Sequence, residues 1–209
     1  MKNPLKIITL SLLFSLLTPN LSFAQDAQDW IVRLRGIYVK TDVNSSVSVL
    51  GGHVATSSDQ VPELDFTRFF TPNIAAELIL ATTQHDISVK GSVLGGKTGL
   101  GSVKLLPPTL TLQYHTNPTG QFRPYVGAGL NYTIFYGEKT GGAATSMKYK
   151  NNLGYALQIG ADYMLDEKIG VNFDIKKVFL RTRVDVNNAY KAKAELDPWI
   201  IGAGVSYHF

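Results

Sequence analysis

NLGYALQIGADY, residues 152–163, sets Leu153, Tyr155, Leu157, Ile159, Ala161 and Tyr163 against Asn152, Gly154, Ala156, Gln158, Gly160 and Asp162. A strict period of two with one apolar face is the pattern of a β-strand, because successive side chains point to opposite sides of a pleated chain. Seven further stretches read the same way. They are WIVRLRGIYV (30–39), LDFTRFF (64–70), IAAELILA (74–81), LLPPTLTLQYH (105–115), FRPYVGAGLNYTIFY (122–136), IGVNFDIKKVF (169–179) and PWIIGAGVSYHF (198–209). The connections alternate in length. Residues 71–73, 116–121 and 165–168 are short, whereas 41–62, 88–102, 137–150 and 182–193 are long. An even number of alternating segments, short turns on one side, long loops on the other and both termini on the short side predict an all-β chain. The architecture expected is an eight-stranded antiparallel transmembrane β-barrel with short periplasmic turns, long extracellular loops and both termini periplasmic.

The first residues fix the compartment. Lys2 and Lys6 precede an apolar run over residues 7–17, and Ser22 and Ala24 occupy the small positions of a cleavage site. This predicts a cleaved signal peptide over residues 1–24 and a barrel domain over 25–209, because the run falls short of the roughly 20 residues a spanning helix needs. Removing Lys2 and Lys6 from the formal net charge of +4 leaves +2, with the charges scattered, so no nucleic-acid partner is implied. With no cysteine in the chain, disulfides cannot staple it. Its stability must come from burial or from a continuous hydrogen-bonded sheet.

The apolar face decides whether the sheet lies in lipid or closes over a core. A soluble barrel or sandwich would bury it. Against that reading, aromatic residues cluster near the strand ends of this face: Trp30, Tyr132, Tyr136, Tyr163, Trp199, Tyr207 and Phe209 are the candidate lipid-facing belt. Trp199 and Phe209 share a face ten residues apart, which on tilted strands is roughly 25 Å, the height of the apolar band of an outer-membrane barrel. Arg68 and Lys177 also fall on this face and are expected near a boundary, where long cationic side chains snorkel.

The opposite face carries Arg33, Arg35, Glu77, Asp162, Asp174 and Lys176 together with Gly, Thr, Asn and Gln. Eight strands leave an interior that side chains nearly fill, so a wide aqueous pore is excluded. The six charged residues read either as a constriction that sets selectivity for a ligand or as a mutually neutralised plug. Pro107 and Pro108 interrupt a segment that should be wall. Proline cannot donate to a ladder and a closed barrel has no edge to put it on. They mark a lateral gap, or else a bulge or the part of the strand above the membrane. His53, His85, His115 and His208 are dispersed without a pairing that would hold a metal. No catalytic residue and no cofactor is assigned.

The stretches LPPTLTLQYH, FRPYVGAGLNY, GADYM, NFDIKK and LDPWIIGAGVSYHF, with WIVRLRGIYV at the start, resemble the OmpW family of Gram-negative outer-membrane proteins over nearly the whole mature chain. Lys40 and Thr41 stand where family members often carry proline, and residues 45–58 follow no shared pattern. The resemblance implies a narrow, largely hydrophobic interior route that passes or binds small hydrophobic molecules. The function expected is passive transport of such solutes, without enzymatic activity. The alternative is a structural or adhesive barrel acting through its loops as a surface contact or phage receptor. The partners expected are outer-membrane lipid and lipopolysaccharide, a small hydrophobic solute, and the barrel-assembly machinery, reached through the alternating last strand that ends in Phe209.

Overall fold

The computed structural model describes residues 30–41, 53–90, 97–141, 147–186 and 190–209. The expected signal peptide and much of the first long connection lie outside them. Every described element is a strand: β1 (Trp30–Lys40), β2 (His53–Thr56), β3 (Asp59–Phe69), β4 (Ile74–Ala81), β5 (Thr83–Lys90), β6 (Lys97–Leu106), β7 (Thr109–His115), β8 (Phe122–Thr140), β9 (Met147–Tyr149), β10 (Asn152–Met164), β11 (Ile169–Phe179), β12 (Arg181–Val186), β13 (Tyr190–Glu195) and β14 (Trp199–His208). The walls run β1, β3, β4, β7, β8, β10, β11, β14 and back to β1, each antiparallel to its neighbours, which is a closed eight-stranded barrel. Closure is made by the first and last strands, paired continuously from Ile31 opposite His208 to Lys40 opposite Trp199. Beyond the strand, the Phe209 amide still donates to the Trp30 carbonyl at 3.0 Å.

The alternation seen in the sequence is the alternation of burial. In β7 the residues are buried and exposed in strict turn, and β10 and β11 follow the same rhythm. Large apolar side chains such as Leu112, Leu130, Tyr155, Ile159 and Phe173 point out of the barrel and are more than half exposed. An apolar outside and a polar inside invert the usual distribution, and only a lipid surround makes that arrangement stable.

The three short turns are tight. The Asp166 carboxylate accepts the amides of Lys168 and Ile169, which holds it below the ordinary carboxylate range. At the opposite end the structure departs from the sequence reading, because much of the long connections is strand. β2, β5 and β6 pair with one another and with the upper part of β8, and β9, β12 and β13 form a separate three-stranded sheet. Asp59 and Pro62, assigned to a loop by sequence, belong to β3, with Pro62 opposite Gly36. Lysine, glycine and serine in these extensions blur the apolar alternation, and backbone pairing there needs no apolar face. The turn end and the loop end of the barrel are therefore built differently.

Candidate functional site

The interior has two storeys. Toward the loop end it is mainly apolar, with Thr83, His85, Asn131 and Thr133 as buried polar exceptions: Ile37, Val39 and Ile79 line it, and Val103, Leu105, Phe135, Ala156, Val178 and Leu180 form one cluster with Ile87, Tyr149, Leu196 and Ile200 packed against it. Burial raises the Tyr149 phenol above its ordinary pKa, and its ring stacks on Phe135 at 5.2 Å.

Toward the turn end the interior is charged. β1 supplies Arg33 and Arg35, two residues apart and so on one face. Arg33 clamps Asp162 with Nε and Nη2, at 3.1 and 2.7 Å to its two oxygens. Its Nη1 donates to Thr67 at 2.7 Å and to Glu77 at 3.3 Å. Arg35 lies 3.0 Å from Glu63, 2.7 Å from Asp65, 3.4 Å from Glu77 and 3.4 Å from Asp174. Lys176 bridges Glu63 at 2.5 Å and Asp174 at 3.0 Å. Amides and a phenol fill the remaining valences. Gln158 donates to Glu77 and Asp174, both at 2.8 Å, Gln113 donates to Glu77 at 2.7 Å, and the Tyr125 hydroxyl donates to Asp174 at 3.1 Å. All of these ionised side chains are at most 2% exposed. Such groups persist away from water only when they are paired and hydrogen-bonded, and seven strands contribute to the pairing.

All six charged residues singled out in the sequence thus meet inside the barrel, bonded to one another across its width. Four further members were not singled out in the sequence, Glu63, Asp65, Tyr125 and Gln158, although the alternation already put Asp65 and Gln158 on the inward face. Glu63 shares the parity of Asp65 and Thr67, and running the period of two back one step from Asp65 would have found it. Tyr125 is inward for the same reason and lies over Gly160, its partner across β8 and β10. Below this floor, His115 contacts Gln113 at 3.0 Å and packs on Phe69 and Tyr125, while His208 contacts Ser206 and Arg123.

Pro107 and Pro108 sit where the storeys meet. Pairing of β4 with β7 ends at Ile79 opposite Thr109, and pairing of β5 with β6 resumes in the same register at Thr83 opposite Leu105. Residues 80–82 and 106–108 face each other between those points without ladder pairing. No extra residue is inserted, so the interruption is not a bulge. On its other side the strand stays attached, since the Tyr132 amide donates to the Pro108 carbonyl at 2.9 Å. The Pro107 carbonyl accepts from the interior side chains of Asn131 and Thr109, at 3.2 and 3.1 Å, so it leans toward the barrel axis.

The aromatic positions lie on the outer surface at both ends. Tyr132, Tyr136, Tyr163, Trp199, Tyr207 and Phe209 are exposed, and Trp30 is half-buried beneath Arg68, whose guanidinium lies 5.0 Å from the ring. Lys177 lies over Trp199 at 4.9 Å and donates to the Asp197 carbonyl at 2.6 Å. Arg68 and Lys177 occupy opposite ends of the outer face, beside Trp30 and Trp199.

Comparison with known proteins agrees with this architecture. An outer-membrane protein of Sinorhizobium fredii, itself uncharacterized, is 48% identical over 86% of this chain and 80% of its own length. Outer membrane protein W of Vibrio cholerae is 35% identical over 90% of this chain and 91% of its own. The crystal structure of the outer membrane protein OprG from Pseudomonas aeruginosa superposes with a TM-score of 0.80 at 32% identity, covering 88% of this chain and 99% of that one. The sequence pattern of the OmpW family matches residues 27–209. The chain is an outer-membrane β-barrel and belongs to the OmpW family.

Proposed function

We propose that this barrel passes small hydrophobic solutes across part of the outer membrane and releases them sideways into lipid. The observation that carries the reading is the coincidence of three features: an apolar upper interior, a floor of paired charges beneath it, and an unpaired stretch of wall at the level where they meet. An apolar solute entering from the loop end gains by leaving water for the upper storey. It gains nothing by entering the floor, where it would have to displace charge-assisted hydrogen bonds. The wall beside Pro107 and Pro108 lacks the ladder bonds that would otherwise have to be broken. Arg33, Arg35, Glu77, Asp162, Asp174 and Lys176 then act as a barrier that turns the solute outward.

In this reading the loop end faces the exterior and both termini are periplasmic. The exposed aromatic belt meets the two lipid interfaces, and the final strand ending in Phe209 is what the barrel-assembly machinery engages. No loop-borne adhesive role is needed, although deletion of residues 45–57 separates the two ideas, because transport should survive it and adhesion should not.

The test is uptake of an apolar fluorescent solute into liposomes with and without the reconstituted chain. Faster uptake is expected with the protein, and equal rates would sink the transport reading. Replacing Pro107 and Pro108 together by Val and Thr restores two backbone donors, the one at 107 on the unpaired side facing β4, and should slow uptake several-fold. An unchanged rate in that variant would remove the lateral exit while leaving transport itself standing.

A further inference from the structure

The outer surface near the loop end carries a row of three side chains on three adjacent strands. Lys40 on β1 and Lys177 on β11 are both register partners of Trp199 on β14. Parity places all three on the outside: Lys40 and Trp199 are exposed, and Lys177 is half-buried against the indole. Immediately beneath them the wall is apolar, with Tyr38, Ile175 and Ile201 outward. Above Trp199 the strand gives way to Leu196, Asp197 and Pro198, with Leu196 turned onto the interior cluster. The row therefore marks the level where hydrocarbon gives way to headgroups.

Two nearby carboxylates among the described residues, Asp59 and Asp197, are engaged elsewhere. Asp59 accepts the amides of Gln60 and Gln84, at 2.9 and 2.8 Å, and Asp197 accepts the amide of Leu180 at 3.0 Å. Lys177 is held by the Asp197 backbone carbonyl rather than by its carboxylate. Among the described residues neither lysine forms an ion pair. Two lysines thus border an indole at an interface, and among the described residues neither has a carboxylate partner. The turn-end counterpart is a single cation, Arg68 over Trp30.

We propose that Lys40, Trp199 and Lys177 form a binding site for a phosphorylated glycolipid of the outer leaflet, the diphosphoryl lipid A core of lipopolysaccharide. Its chemistry fits the row: phosphates on a flat sugar pair, with acyl chains descending below. The ammonium groups take the phosphates, the indole lies against the sugar, and the chains cover Tyr38, Ile175 and Ile201. The assignment shares with the proposed function only the outward orientation of the loop end, and it is independent of solute passage.

The test uses the mature chain in phosphatidylcholine nanodiscs carrying either diphosphoryl lipid A or the same glycolipid with its phosphates removed. Glycolipid that stays on the barrel after gentle detergent extraction is counted by native mass spectrometry. The phosphorylated form should be retained roughly tenfold or more over the dephosphorylated one, given two lysines at an anionic surface. K40Q/K177Q should fall to the dephosphorylated level, and K40R/K177R should keep the preference. The heat-dependent gel shift of a folded barrel verifies that both variants fold. Equal retention of the two glycolipids, unchanged retention in K40Q/K177Q or loss in K40R/K177R would each overturn the assignment. Displacement of the lipid by inorganic phosphate alone would do so too, because it would reveal a site for a free anion.

Discussion

At the scale of single residues, the floor sets up an unequal exchange between its cations and its anions. Five buried carboxylates, Glu63, Asp65, Glu77, Asp162 and Asp174, face three buried cations, Arg33, Arg35 and Lys176. Removing an arginine strands several carboxylates in a medium that cannot solvate them, whereas neutralising one carboxylate relieves repulsion among the rest. Arg33→Met should therefore cost about 3–5 kcal/mol of barrel stability. Asp65→Asn, whose parent carboxylate accepts no hydrogen bond and among the described residues forms an ion pair only with Arg35, should stay within about 1 kcal/mol of the parent. Urea unfolding in lipid vesicles measures both, and equal losses would contradict the charge count. Gly160 carries a second residue-scale expectation. A Cβ there would fall 2.5 Å from the Tyr125 ring carbon Cζ and 2.8 Å from the Phe173 carbonyl, so Gly160→Ala must push Tyr125 off Asp174. Overpacking of this kind costs about 1–3 kcal/mol, and the same unfolding experiment reads it. None of these partnerships was legible in the sequence. Parity says that Arg33 and Asp162 face inward, but the pairing across the barrel depends on strand stagger, which local pattern does not encode.

At the scale of elements, the membrane strands were legible because a lipid-facing row must be continuously apolar while its reverse is polar, and that contrast writes a period of two into the chain. The upper extensions were not, because their outer faces carry polar residues such as Gln84, Asp86 and Lys104 while apolar residues such as Val103 and Leu105 turn inward, so the lipid-facing contrast is lost. The first long connection shows this well: on the outward face of β3, Gln60 and Pro62 precede Leu64, so the apolar row stops two outward residues before the ladder does. The interruption at Pro107 and Pro108 was half legible. The missing donors are visible in the sequence, but only the preserved register on both sides separates a gap from a bulge. It also makes a measurable claim about local stability, since amides without ladder partners open at little cost. By hydrogen exchange, the amides of residues 80–82 and 106 that face the gap should exchange well ahead of those in β7, β8 and β10. Uniform protection along the wall would mean that the strand pair is sealed at that level.

At the scale of the whole molecule, the two storeys imply two kinds of traffic that can be separated. If the floor closes the turn end and the solute leaves through the wall, uptake and ion conductance depend on different side chains. The intact barrel should then take up apolar solutes while conducting ions poorly, because no step of that route crosses the floor. Gln113 and Gln158 are the uncharged members that fill space between the ion pairs, bordering Gly127 and donating to Glu77. Shortening both to alanine should open a water-filled path through the floor, since polar cavities of this size take up water, without removing any charge from the network. Single-channel recording in planar bilayers should show higher conductance for that double variant, with apolar uptake into liposomes unchanged. The Pro107 and Pro108 double replacement should do the reverse, slowing uptake and leaving conductance where it was. If the glutamine variant instead raised uptake in step with conductance, the solute would be crossing the floor itself, and the charged residues would have to be reassigned from barrier to passage.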